Sequence, residues 1–185
     1  MSKYLDGHTY HVYNRGAHRS SIFRNHGHYH RCSALLQKYA DQYHVTLLTY
    51  CLMPNHYHLL VQQEQGGTVS RFLQTTFNAY VQYFNVVEGH SGTLFQGAAK
   101  SRQIETDEYL LQVVRYIHCN PVWASLAKTP LGWPFSDYSR WIADGEDSFP
   151  GKSLRDAWFK DGKAYREFVE AYRPRGDEPN LLEEL

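Results

Sequence analysis

The sequence predicts an α+β fold: an antiparallel-rich sheet with helices packed on it, plus a helical extension at the C-terminus. Three observations carry that expectation. Val45–Met53 (VTLLTYCLM) and His56–Val61 are β-rich runs joined at Pro54-Asn55, the pattern of a hairpin. Thr68–Val87 places Val69, Phe72, Leu73, Phe77, Tyr80, Val81 and Phe84 at three- and four-residue spacing, which is one face of an α-helix. The order of elements (strand, helix, two strands, helix, strand, helix) suits a two-layer sandwich rather than an alternating parallel sheet.

The remaining elements follow in chain order. His8–Arg15 alternates loosely and stops at Gly16, as a first strand would. Asn25–Tyr43 reads as a helix, with Leu35, Leu36 and Tyr39 on one side. Glu88–Gly92 is a loop, and Leu94–Glu105 supplies a further strand weakened by Gly97-Ala98-Ala99. Thr106 caps a helix through Asp107 and Glu108 that is expected to end at Cys119 or Asn120, before Pro121. Trp123, Trp133 and Trp141 lie in a Pro/Gly-punctuated stretch, followed by a helix from about Ser153 to Tyr172. Residues from Pro174 onward are polar and acidic, and fraying is expected there. The chain therefore divides into a body, 1–140, and an acidic helical extension, 141–185.

Charge is distributed along the same division. The net charge is zero, but residues 1–140 hold twelve Lys and Arg against eight Asp and Glu, whereas 141–185 hold seven against eleven. All 11 histidines fall in the body. A weakly basic body suits a phosphate-bearing partner, and the acidic segment masks it in the average. Three cysteines, with no CxxC pair, point away from a disulfide framework. No apolar run is long enough for a membrane span or a signal peptide, so a cytoplasmic protein without membrane contact is expected.

Two local patterns bear chemistry. His56 and His58 stand two apart on a strand, so both imidazoles face one side and Tyr57 the other. By spacing alone, two hydrogen-bonded surface histidines are the commoner outcome and two metal ligands the alternative. In the helix 107–120, Leu110, Val113, Val114 and Ile117 make the stripe expected to face the sheet. Tyr116 and Asn120, four residues apart, share a flank beside it. That flank fits an ordinary helix ending as well as a functional pair. Local pattern cannot bring these two halves together.

Longer strings can. Leu52-Met53-Pro54-Asn55-His56-Tyr57-His58-Leu59-Leu60-Val61 resembles the His-hydrophobe-His strand of the single-strand HUH transposase family, in its REP-associated tyrosine transposase branch. Asn78–Asn85, Gly92–Gly97, Arg115–Val122 and Trp133–Tyr138 (Trp-x-x-Ser-x-Tyr) follow in that family's order, covering about residues 8–140. The resemblance implies a ferredoxin-like sheet whose His-x-His strand faces the nucleophile helix. It further implies Tyr116 as nucleophile and His56, His58 and Asn120 as ligands of Mg²⁺ or Mn²⁺. The implied activity is cleavage and rejoining of single-stranded DNA beside short REP-like hairpins through a 5′-phosphotyrosine, by a monomer or homodimer. Arg15, Arg19, Lys100, Arg102 and Arg115, near these elements in sequence, are the candidate DNA contacts. A metal-bound water, His11 and His118 are the candidate bases for the phenol. Ala98 and Ala99 stand where the family has a basic residue and an aromatic, so weaker DNA affinity is expected. The competing readings are a domesticated, non-catalytic hairpin-binding protein and a metallohydrolase with a water nucleophile.

Overall fold

Four strands form one antiparallel sheet in the order β2-β3-β1-β4, with β1 at Thr9–Arg15, β2 at Val45–Met53, β3 at His56–Gln63 and β4 at Lys100–Gln103. Between them run α1 (His26–Gln42) and α2 (Val69–Glu88); α3 (Asp107–Trp123) follows β4. This is the ferredoxin-like arrangement the resemblance implied. The structure, a computed structural model, describes residues 3–145 and 148–172. The acidic stretch from Pro174 lies outside the described residues.

Strand alternation sorts the sheet into two faces. Tyr10, Val12, Leu47, Leu52, Tyr57, Leu59 and Val61 pack with α1 and α2, through Leu35, Leu36, Phe72, Phe77 and Tyr80. Leu48, Cys51, Met53 and Leu60 pack with Val113, Val114 and Ile117 of α3. Asn25 caps α1 by accepting from the backbone of His28, and Thr106 caps α3 by accepting from Tyr109. Each cap occupies a donor that the first helical turn leaves free.

Three sequence expectations are corrected. Pro121 lies inside α3 rather than ending it. Proline removes one N–H and crowds the carbonyl four residues back, and a helix survives both where packing holds it: residues 116–121 are all buried. The strand expected over Leu94–Glu105 shrinks to Lys100–Gln103, because Gly97 turns the chain with φ 87° and leaves Phe95 only a single bridge to Gly16. The long C-terminal helix is two, α5 (Lys152–Trp158) and α6 (Gly162–Glu170). Asp161 is extended and caps α6, and Gly162 lets the chain pass close to Ile142, whose carbonyl oxygen would lie 2.3 Å from an added Cβ.

A short helix, α4 (Tyr138–Ile142), together with α6, covers the side of α3 away from the sheet with Tyr138, Trp141, Tyr165 and Val169. The Trp-x-x-Ser-x-Tyr segment leads into α4 along the outer edge of β2: Trp133 Nε1 donates to the Leu52 carbonyl at 3.0 Å, and the Leu52 N–H donates to Phe135 at 2.9 Å. Cys32, Cys51 and Cys119 are free and buried. Burial pushes the Cys32 and Cys51 thiols up, away from thiolate chemistry. Among the described residues no helix is long and apolar enough to cross a membrane.

Candidate active site

The face of the sheet toward α3 carries an unusual polar set. His56 and His58 of β3 point there together with His11 and Tyr13 of β1, since Tyr13 pairs with His58 and Arg15 with His56 across the two strands. From the helix side, Asn120 reaches both histidines. Its Oδ1 lies 3.4 Å from His56 Nε2, and its Nδ2 lies 3.2 Å from His58 Nε2. The Tyr116 ring stands edge-on to His58, with centroids 5.1 Å apart, and 6.0 Å from His11. Tyr116, His56, His58 and Asn120, drawn from sequence positions up to 64 residues apart, are thus brought together.

The proton arrangement follows from the hydrogen bonds. Asn120 Nδ2 donates to His58 Nε2, which must therefore carry a lone pair. His58 then holds its proton on Nδ1 and donates it to His11 Nε2 at 3.0 Å. His11 in turn carries its proton on Nδ1, a buried atom with no hydrogen-bond partner. His56 Nδ1 donates to Asn55 Oδ1 at 2.7 Å, which leaves its Nε2 lone pair facing the Asn120 oxygen. Both rings are thus held from behind, with their Nε2 lone pairs converging on one amide.

Hydrogen bonds on the far ring nitrogens prepare imidazoles as metal ligands in this way. Two neutral nitrogens and a carbonyl oxygen suit Mn²⁺ or Mg²⁺ completed by water and phosphate oxygens, so the residues present fit the ion. All three imidazoles are kept neutral. Burial pulls His11 down to about 3, with the Arg102 charge adding to it. Burial pulls His56 down to about 4, opposed by the hydrogen bond its protonated ring would donate to the Asn120 amide oxygen. His58 is lowered by burial and then by His11 and His56. No cluster of three or more His, Cys, Asp or Glu suited to a metal occurs among the described residues, so any site here depends on the amide of Asn120.

The two histidines among the candidate bases separate. His11 lies beside Tyr116, but its Nε2 is occupied by His58 and its basicity is low. His118 points to the opposite side of α3, into a buried cluster with Thr49, Asp137 and Tyr165. What strand spacing missed is His11 as the partner of His58; two histidines on adjacent strands leave no local signal.

Of the candidate DNA contacts, Lys100 and Arg102 pair with Tyr13 and His11 and so lie on the site's face, along the edge strand. Lys100 stands 5.8 Å from the centre of the Tyr13 ring, and Arg102 stands 4.9 Å from that of Tyr109. Arg15 is opposite His56, and Arg19 sits on the exposed turn after β1. Arg115 instead lies over Tyr172 at 3.7 Å and Phe168 at 4.7 Å, against the C-terminal extension.

The family profile described as "Transposase IS200 like" matches residues 4–120, a span that ends on Asn120 and includes all four central residues. The chain belongs to the IS200-like transposase family. Among solved structures, this transposase is similar to a REP-associated tyrosine transposase bound to a REP hairpin, with a TM-score of 0.62, 19% identity, and coverage of 80% of this chain and 93% of that one. It is also similar to a protein of Deinococcus radiodurans R1 described as a transposase candidate, with a TM-score of 0.46, 17% identity, and coverage of 63% and 93%. No curated protein sequence matches it.

Proposed function

We propose that this IS200-like transposase is a metal-dependent enzyme that cleaves and rejoins single-stranded DNA beside short hairpins, with Tyr116 as nucleophile. The observation that carries the proposal is the convergence of His56 Nε2, His58 Nε2 and the Asn120 amide beside the Tyr116 ring. A divalent ion bound there would offset phosphate charge and orient the phosphorus for in-line attack. The Tyr116 oxygen forms a bond to phosphorus as the bond to the 3′-oxygen breaks. The phenolic proton is lost, the leaving 3′-oxygen gains one, and a 5′-phosphotyrosine remains beside a free 3′-OH. Attack by a 3′-OH reverses the step without ATP, because one phosphoester replaces another.

His56 and His58 would hold the ion while Asn120 completes the set. Lys100, Arg102 and Arg15 flank it on the same face and would bind the phosphates on either side of the cut. A hairpin-bearing substrate is supported by the relative bound to a REP hairpin. The test is incubation of hairpin-bearing labelled single strands with Mn²⁺, comparing the wild type with Tyr116→Phe. A denaturation-resistant adduct in the wild type alone is the expected result; an adduct in both, or in neither across REP-like hairpins, refutes it.

One observation favours a second reading. Tyr116 is only 3% exposed, with the Trp123 ring 5.6 Å away, so its hydroxyl must be uncovered before attack. A hairpin-binding protein that no longer cuts fits that burial. Tight hairpin binding without any adduct would select it.

A further inference from the structure

The helix that carries Tyr116 and Asn120 is gripped on its opposite flank by a buried polar cluster. His118 lies between them in sequence, and at about 100° per residue it projects about 200° from Tyr116, whereas Asn120 projects only about 40° away. His118 is 0% exposed, as is Thr49; Asp137 is 6% exposed. Tyr165 of α6 donates its O–H to His118 Nδ1 at 2.5 Å. The proton on His118 Nε2 is shared by Thr49 Oγ1 at 2.8 Å and Asp137 Oδ1 at 3.1 Å. The Thr49 hydroxyl then donates to Asp137 Oδ1 at 2.7 Å, and the carboxylate also accepts from the Tyr50 N–H at 3.1 Å and Trp141 Nε1 at 3.1 Å. One tautomer of His118 satisfies every partner.

The backbone is adapted to make this grip. Leu47 pairs with Val61, but Thr49 pairs with Leu60, so Leu48 is an extra residue in β2. Without that bulge Thr49 would share the α1 face with Leu47. With it, Thr49 turns toward α3 in phase with Cys51 and Met53. Asp137, the other anchor, belongs to the Trp-x-x-Ser-x-Tyr segment fastened along β2. A cluster holding only hydrophobic contacts would let α3 turn slightly about its axis. Directional bonds on both ring nitrogens do not.

We infer that His118, held by Thr49, Asp137 and Tyr165, is a positioning residue that fixes the rotation of α3 and thereby places Tyr116 and Asn120 against His56 and His58. The inference rests on the transposase reading above for its catalytic consequence, and on geometry alone for its structural one. It also ties α6 to the site, because Tyr165 completes the grip.

The experiment compares Thr49→Val, which keeps the shape and removes the hydroxyl, with Thr49→Ser, which restores it, and with Tyr165→Phe. Single-turnover adduct formation at saturating hairpin DNA, Mn²⁺ affinity and hairpin Kd are measured in each. Thr49→Val and Tyr165→Phe are expected to slow adduct formation about 10- to 100-fold and weaken Mn²⁺ binding, with hairpin Kd changed less than about twofold. Thr49→Ser should recover most of the rate. Equal rates in Thr49→Val and wild type, or a parallel loss of hairpin affinity, overturn the inference. Should the wild type itself make no adduct, the transposase reading fails by itself. The grip is then read from the Asn120 side-chain amide resonances: they shift in Thr49→Val and return in Thr49→Ser if it exists, and coincide in all three proteins if it does not.

Discussion

Acidification should destabilise the metal-free protein well before its carboxylates titrate. His11 is held near 3 and His56 near 4, against an ordinary value of 6.5. Both are depressed, so the unfolded chain binds more protons than the folded one as pH falls below 6.5, and stability falls with it. From pH 7.5 to 5.0 the folded rings stay neutral while the unfolded ones charge, which costs about 2 kcal/mol for each, or about 4 kcal/mol for the pair. His58 and His28 are also lowered, chiefly by burial, and add in the same direction. The lowered carboxylates, Asp6 and Asp156, start from 3.8 and lie below this window. Urea unfolding followed by tryptophan fluorescence in EDTA, at pH 7.5 and 5.0, measures the difference. His11→Gln should reduce that pH-dependent loss by about 2 kcal/mol, whatever its own effect on stability. A wild-type loss under about 1 kcal/mol would show that the imidazoles are not held neutral, and the preparation of the Nε2 lone pairs would fall with it.

Three further outcomes are expected. Asn120→Ala should cut Mn²⁺ affinity and adduct yield at least about tenfold while leaving hairpin binding in place, as isothermal titration and gel assays would report; unchanged Mn²⁺ affinity would remove the amide from the site. Lys100→Ala and Arg102→Ala should each weaken hairpin binding and lower the slope of log K against log salt by about 0.7 to 0.9, whereas Arg115→Ala, packed on Tyr172, should leave that slope unchanged. Gly16→Ala should destabilise the turn after β1 by about 1 to 3 kcal/mol in thermal melts, because the added Cβ would lie 2.1 Å from the Ser20 carbonyl oxygen; a wild-type Tm would mean that turn is free to shift.

Much of this protein is legible in its sequence because the information is local. Period two and period 3.6 set β2, β3, α1 and α2 almost to the residue, and alternation alone puts His56 and His58 on one face. Spacing of four puts Tyr116 and Asn120 on one flank of α3. The order of motifs then carried the likeness to a family that residues 4–120 match.

What the tertiary structure decided is everything that joins separate strands and helices. His11 becomes the partner of His58 only through the pairing of β1 with β3, and a one-residue slip would turn it to the other face. The bulge at Leu48, which aims Thr49 at His118, leaves no mark in a β-rich run, since Leu and Thr occupy either side equally well. Pro121 reads as a stop in one dimension and is carried within α3, where it is buried with residues 116–120. Periodicity tells each residue which side of its own element it takes; only packing determines which other residues it meets there.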